Sequence, residues 1–474
     1  DNPTFRGMRQ SLMKSFDEIY ILDLHGNSLK KEKCSDGSKD ENVFDIMPGV
    51  AISIFIKRKN GSKDCKVYHS ELWGTRESKY SWLMTHDKAS TDWKELSPKS
   101  EFYLFIPRDE SLSAGYEKYP KIPDIFPINS VGIVTARDGF VIDQKREDLE
   151  KRIGIFRDEN RSDDYIEREF KLKIKTDKKL HNAREKLIKD ENWKNFIKPI
   201  LYRPFDIQWI FYNDGLIERS RIEVMRHMLK DENLGLITAR SNKSNHMDHF
   251  FCSDKIMETK CGESTTQSYI FPLYLCQNNG DSLQKQPNIN SRILDTLSGI
   301  YEKEPTPEEI LYYIYSVLYS NTYRKKYAEF LRIDFPRVPF TKDYKLFSQM
   351  AGYGKRLVDL HLLESDEQDP PIAKYQGKGD DIVEKPRYDE GNGYVYINKS
   401  RYFEGVNKEV WAYYIGGYQV CDKWLKDRKG RQLSLDEMKH YCRIVTTLQK
   451  TIEIQQLIDK VYPEVEREVM EFGA

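Results

Sequence analysis

The sequence predicts the edge of an α/β sheet, then a mixed α+β region, then a helical C-terminal region. Three observations carry this reading. The run Ile19-Tyr20-Ile21-Leu22-Asp23-Leu24 is almost wholly apolar, as is a strand covered on both faces inside a parallel sheet. The stretch VGIVTAR (131–137) is echoed by LGLITAR (234–240), two short apolar strands set among polar loops. From Thr306 onward, helix-capping signals and helical periodicity take over.

Residues 1–75 read as helix, buried strand, charged loop and a second buried strand, AISIFIKR. A parallel strand needs neighbours joined by crossover connections. None precede it in this sequence, so the segment is expected to be one edge of a sheet whose other strands lie upstream. Lys57–Asp64 (KRKNGSKD) contains Asn60-Gly61, a strong hairpin signal, and predicts that AISIFIKR pairs antiparallel with KVYHSELWG. Residues 76–120 read as a linker. Residues 121–300 mix short strands with polar loops and form the next domain. Within them, LYRPFDIQWIFY (201–212) crowds aromatics around Arg203, which is expected to be buried and held by Asp206 or a carbonyl.

Residues 301–365 read as helical. Thr306-Pro307-Glu308-Glu309 is a capping box with Pro at the first helical position, and apolar residues at 310, 311, 314, 317 and 318 mark one buried face. A second helix is predicted from about Thr322 to near Asp334, and a third from about Lys342 to Glu364. Residues 366–392 are polar with Pro and Gly and read as a linker or long loop. They open an α+β segment, 366–474. It holds a short strand (GYVYIN), RYFEGV and an aromatic-rich helix at Lys408–Tyr414. A second capping box, Ser434-Leu435-Asp436-Glu437, opens a long helix with an apolar stripe at 438, 441, 445, 448, 452 and 458.

A chain of 474 residues is long enough for two to four domains. No apolar run approaches the roughly 20 residues of a membrane span. The 7 cysteines form no CxxC pair, which suggests a reduced, cytoplasmic protein. Net charge is zero, so any polyanion partner must be met by local clusters. Lys171–Asp190 is one cluster, with eight Lys/Arg against three Asp/Glu, and includes Lys171, Lys173 and Lys175. Arg219, Arg221 and Arg226 form another. For either run alone, a solvated charge-laced helix is the blander explanation. The twin strand ends place Arg137 and Arg240, the latter followed by Lys243, where they could contact phosphate or guanine; solvent-facing ends of two core strands is the competing reading. His246, His249, Cys252 and Cys261 could be drawn as a zinc site. Their spacing matches no standard finger, and a packed element with two surface histidines is favoured.

The segment FRGMRQSLMKSFDEIYILDLHGN, then VFDIMPGVAISIFIKR, LYRPFDIQWIFY, SRIEVMRHM, YYIYSVLYSNTYRKKYAEFLRIDFPRVP and RYFEGVNKEVWAYYIGGYQVCDKWLKDRKGR, taken in order, resemble the C-terminal part of gamma-class adenine-N6 DNA methyltransferases. The resemblance is closest to type ISP restriction-modification enzymes and their type IIG relatives. It implies that residues 1–75 are the edge of a Rossmann-like methyltransferase sheet and that the later region is a target recognition domain reading double-stranded DNA. It also implies that Phe44 stacks on the flipped adenine. The cationic residues Arg137, Arg240, Lys243, Arg219, Arg221, Lys171, Lys173 and Lys175 become candidate DNA contacts. The family's glycine-rich loop for S-adenosylmethionine and its Asn-Pro-Pro-Tyr-type loop are not in this sequence; Asn2-Pro3-Thr4 is no substitute. The methyl donor, the catalytic residues and any translocase or nuclease are therefore expected in upstream domains of the same polypeptide, with no cofactor or metal held by this chain alone. The rival readings are a carbohydrate- or protein-binding module, prompted by 30 Tyr and 7 Trp, and a zinc-dependent hydrolase on the His/Cys set.

Overall fold

The computed structural model describes residues 5–28, 32–59, 64–99, 102–107, 112–229, 233–244, 246–279 and 282–472. The chain divides into two compact units, Asp1–Ser111 and Leu112–Ala474.

The first unit is built on a four-stranded sheet of β1 (Glu18–Asp23), β2 (Ala51–Ile56), β3 (Lys66–Glu71) and β4 (Lys94–Leu96), in the order β2-β1-β3-β4. β1, the strand richest in buried apolar side chains, takes the middle. Ile19 packs with Val67 and Phe105 on one face, under Leu12 and Phe16 of the Arg6–Ser15 helix and its end. Leu22 and Leu24 pack with Val43 on the other, under Trp82 and Leu83 of the Arg76–Thr85 helix. β3 runs parallel to β1 and β2 antiparallel to it.

Two expectations are corrected here. AISIFIKR and KVYHSELWG do not pair with each other, because β1 lies between them; the Asn60-Gly61 turn itself is outside the described residues. Nor is 76–120 a linker, since it supplies a covering helix and the edge strand β4. At the opposite edge, Ile52, Ile54 and Phe55 of β2 are exposed.

The second unit contains, in chain order, β5 (Ser130–Val131), β6 (Ile142–Asp143), β7 (Ile197–Arg203), β8 (Asp206–Phe211), β9 (Gly235–Ala239), β10 (Phe250–Ser253), β11 (Ile256–Met257), β12 (Ser268–Pro272), β13 (Tyr274–Asn279), β14 (Ser282–Pro287), β15 (Lys374–Gly377), β16 (Arg387–Asp389), β17 (Tyr394–Tyr396) and β18 (Arg401–Glu404). They form small sheets ordered β10-β9-β12-β5, β11-β7-β8-β6 and β15-β18-β17-β16, and a β13-β14 hairpin. Of the two echoed stretches, LGLITAR forms β9 but only Val131 of VGIVTAR lies in a strand, β5, with Ile133 and Val134 making isolated bridges; β5 and β9 share one sheet. Each pairs antiparallel with β12 between them, so they run parallel to one another. The presumed loop 366–392 holds β15 and β16. Its Pro- and Gly-rich composition hid strands of only four and three residues.

The helices follow their local signals. The Thr306 hydroxyl accepts from Glu309 N–H and the Glu309 carboxylate from Thr306 N–H, opening Pro307–Tyr319. That helix buries more than the predicted face, since Tyr313, Tyr315 and Tyr319 are also enclosed. The second predicted helix is two short ones, Asn321–Lys326 and Ala328–Leu331. The third is Tyr344–His361, capped by Asp343. The Ser434 box opens Leu435–Val465. This long helix joins the unit's two cores: Tyr441, Val445 and Leu448 enter one, Ile454, Ile458 and Tyr462 the other. Asp206 pairs with Arg428 at 2.7 Å, both buried, which fixes the start of β8 to the 420–437 region.

Candidate nucleic-acid interface

In the first unit, the loop between β1 and β2 is fastened from below. Lys79 Nζ donates to Leu24 O (2.7 Å), Asp40 Oδ1 (2.6 Å) and Glu41 O (2.6 Å), so all three of its N–H groups are matched inside the protein. Asp40 in turn accepts from the backbone N–H of Gly26 and Gly74. Arg76 donates to Asn42 O and Asp45, and Tyr80 to Val43 O. Asn42 Oδ1 accepts from Phe44 N–H while its amide donates to Pro48 O. On this anchored loop Phe44 is 56% exposed, beside exposed Ile46 and Met47. Burying Phe44 would remove about 2 kcal/mol of hydrophobic cost, so a large apolar ring held out on a rigid loop is suited to stacking on something brought to it. The sequence did not single out Lys79. Its signal was a lysine three and four residues before Trp82 and Leu83, on the apolar side of its helix.

In the second unit, the two echoed arginines separate. Arg137 is mostly enclosed: it donates to Leu216 O at 2.8 Å and faces Asp177 at 3.5 Å. Arg240 is exposed on the loop after β9, where among the described residues it meets Asp334, at 3.3 Å. The two are therefore not presented as a pair. Lys243, on the same loop, is exposed with one long contact to Thr265 O. Arg219 is exposed, its backbone bridged to Val134. Arg221 is half-buried, in left-handed backbone ahead of the Ile222–Met228 helix. Lys171, Lys173 and Lys175 are exposed while Leu172 and Ile174 between them are buried; Lys175 is ion-paired with Asp164. Arg203 is half-buried, against the expectation of burial; it donates to the carbonyl of Tyr202, one of the two expected kinds of partner, and its carboxylate is Glu258 (2.7 Å), not Asp206.

The His/Cys set does not converge. Among the described residues no group of three or more His, Cys, Asp or Glu could hold a metal ion. His249 is not at the surface as expected but fully buried, hydrogen-bonded to Ser268 Oγ at 2.8 Å, and burial holds its pKa down at about 4. Burial likewise pushes the Cys252 and Cys261 thiols up to about 12. His246 stacks on Tyr414.

The second unit is thus a set of small mixed sheets braced by a helical core, with cations carried on loops and helix ends. The family described as "Type ISP C-terminal specificity domain" matches residues 124–457, and the chain belongs to it. No curated protein matches the chain.

Solved structures share the fold at low identity. One is described as a nuclease-deletion mutant of the Type ISP restriction-modification enzyme LlaGI in complex with a DNA substrate mimic (20% identity, TM-score 0.69, 96% of this chain and 38% of that one). Another is the ATP-dependent Type ISP enzyme LlaBIII bound to DNA (20%, 0.74, 95% and 31%). A third is a DrdV–DNA complex (21%, 0.72, 98% and 49%). The chain spans less than half the length of each. Among the described residues no helix is long and apolar enough to cross a membrane.

Proposed function

We propose that this chain is the DNA-reading C-terminal part of a cytoplasmic restriction-modification enzyme that methylates adenine at N6, and that it selects the double-stranded site to be modified. The observation that carries the reading is the family match, a specificity domain over most of the second unit. The DNA named with each of the three solved neighbours supports it. Arg240, Lys243, Arg219, Lys171 and Lys173 are the phosphate or base contacts we favour, because their side chains reach solvent. Arg137 is assigned a structural role.

We assign the first unit to the edge of a Rossmann-like methyltransferase sheet of the gamma class. Its exposed apolar strand β2 would continue into strands supplied by the same polypeptide, since an unpaired apolar edge is otherwise a liability. Phe44 would stack on the extruded adenine. This chain is proposed not to hold S-adenosylmethionine by itself. The glycines after β1 and β3, Gly26 and Gly74, close onto Asn42 and Ser78 instead of opening a cradle. We therefore place the methyl donor, the catalytic loop and any nuclease or translocase in upstream domains.

The test is fluorescence anisotropy of the chain with a random-sequence duplex pool across a salt series. Binding that falls steeply with salt, and enrichment of one site on selection, support the reading. Absence of binding both for this chain and for the full-length polypeptide at low salt would overturn it.

A further inference from the structure

A cavity of about 520 Å³ opens in the second unit between the 246–248 loop, the Asn321–Lys326 helix, the 409–414 segment and the Leu435–Val465 helix. Arg324 lines it and is 6% exposed. Its Nε donates to Leu318 O at 2.6 Å. One side of the guanidinium meets the rings of Tyr319 and Phe250. The terminal Nη2 has no hydrogen-bond partner, and Arg324 forms no ion pair among the described residues.

Arg184, Arg203 and Arg428, by contrast, each have a carboxylate: Asp163, Glu258 and Asp206. A buried guanidinium cannot lose its proton and is unfavourable without a counter-charge. Asp248, an acid lining the cavity, is itself buried and accepts from Ser244 Oγ. Burial pushes its carboxyl up, against the opposing pull of the Arg324 charge. The other charged or titratable groups lining the cavity are Lys325, His246 and Glu409, all exposed, and Tyr413 and Tyr414, both half-buried.

We propose that the Arg324 cavity is an anion site that takes a phosphate group. Guanidinium matches phosphate in geometry as well as charge, Lys325 adds a second cation at the rim, and the cavity has room for the group with its water. The phosphate comes either from the backbone of a bound duplex or from a free phosphate. Only the first source rests on the DNA-reading proposed above.

Isothermal titration of the full chain with inorganic phosphate, against chloride at equal ionic strength, tests the site directly, with Arg324→Gln and the rim variant Lys325→Gln beside it. Circular dichroism checks the fold of each, and Lys325→Gln keeps the test decisive should Arg324→Gln fail to fold. Phosphate binding that weakens about tenfold or more in Arg324→Gln, and measurably in Lys325→Gln, supports the site. The duplex arm repeats the salt series. A salt slope lowered by about one in Arg324→Gln assigns the phosphate to DNA; an unchanged slope with phosphate bound assigns it to a free anion. No phosphate binding by the wild-type chain together with an unchanged DNA salt slope overturns the proposal. Failure of the chain to bind DNA at all bears on the DNA-reading and leaves the phosphate titration to decide the site.

Discussion

Lys79 Nζ lies 2.6 Å from Asp40 Oδ1, and neither side chain reaches solvent. Desolvating both charges is costly, and their mutual attraction offsets that cost only with good geometry and full hydrogen bonding. Here both conditions hold, since each partner also ties the backbone on either side of the Phe44 loop. The pair is best understood as a fastener for that loop.

Lys79→Met should therefore destabilise the first unit by about 3–5 kcal/mol, the range for leaving one member of a buried pair uncompensated. Hydrogen exchange followed by mass spectrometry is the measurement. Residues 40–48 are expected to lose protection first, while the Pro307–Tyr319 helix in the second unit keeps its own. Unchanged exchange at 40–48 would remove the fastener role.

Gly354 provides a second, purely steric prediction. A Cβ there would lie 1.7 Å from Tyr312 O, so the helices Pro307–Tyr319 and Tyr344–His361 touch at that glycine backbone to backbone. Gly354→Ala should cost at least about 1–3 kcal/mol by overpacking, although alanine is the better helix former. Chemical denaturation of the variant beside Gly352→Ala, whose added methyl meets nothing within 4 Å, separates the two effects. The second substitution should be neutral or slightly stabilising.

The capping boxes at Thr306 and Ser434 were legible in the sequence because a cap is closed by residues three apart. So was the long final helix, whose stripe at 438, 441, 445, 448, 452 and 458 is buried except for half-buried Ile452. Strand order was not legible. Asn60-Gly61 argued for a hairpin, but β1 separates the two strands because its apolar side chains need cover on both faces. The partner of Asp206 was not legible either, as Arg428 lies 222 residues away. Arg137 and Arg240 end the same short motif yet differ in exposure. The difference comes from Leu216 and Asp177, which reach Arg137 from distant segments.

Stability should fall as the solution is acidified from pH 6.5 towards 4. Burial lowers the folded-state pKa of His249 to about 4 and of His361 to about 3, against about 6.5 when unfolded. In that window the unfolded chain binds the extra protons, so stability is greatest above 6.5 and is lost on going down, by up to about 1.4 kcal/mol per pH unit for each histidine. His361, hydrogen-bonded to Tyr315 and Thr451, is the one to replace. His361→Asn should be less stable at pH 7.5 but show a shallower decline between pH 6.5 and 4 in urea melts. An equal slope in the variant would mean that other groups set the acid dependence.

The last prediction separates the two echoed arginines. Arg240 and Lys243 are exposed and weakly engaged, so Arg240→Ala/Lys243→Ala should leave the unfolding free energy within about 1 kcal/mol of the wild type. If both contact phosphate, the double variant should lower the slope of log K against log salt by about two. Arg137 is committed to Leu216 O and Asp177 inside the fold. Arg137→Ala should cost about 1–3 kcal/mol by stranding the buried carbonyl of Leu216, with the salt slope of the surviving folded protein unchanged. The opposite pattern, a slope change for Arg137 and none for the Arg240/Lys243 pair, would show that the partly enclosed arginine is the one turned to DNA on binding.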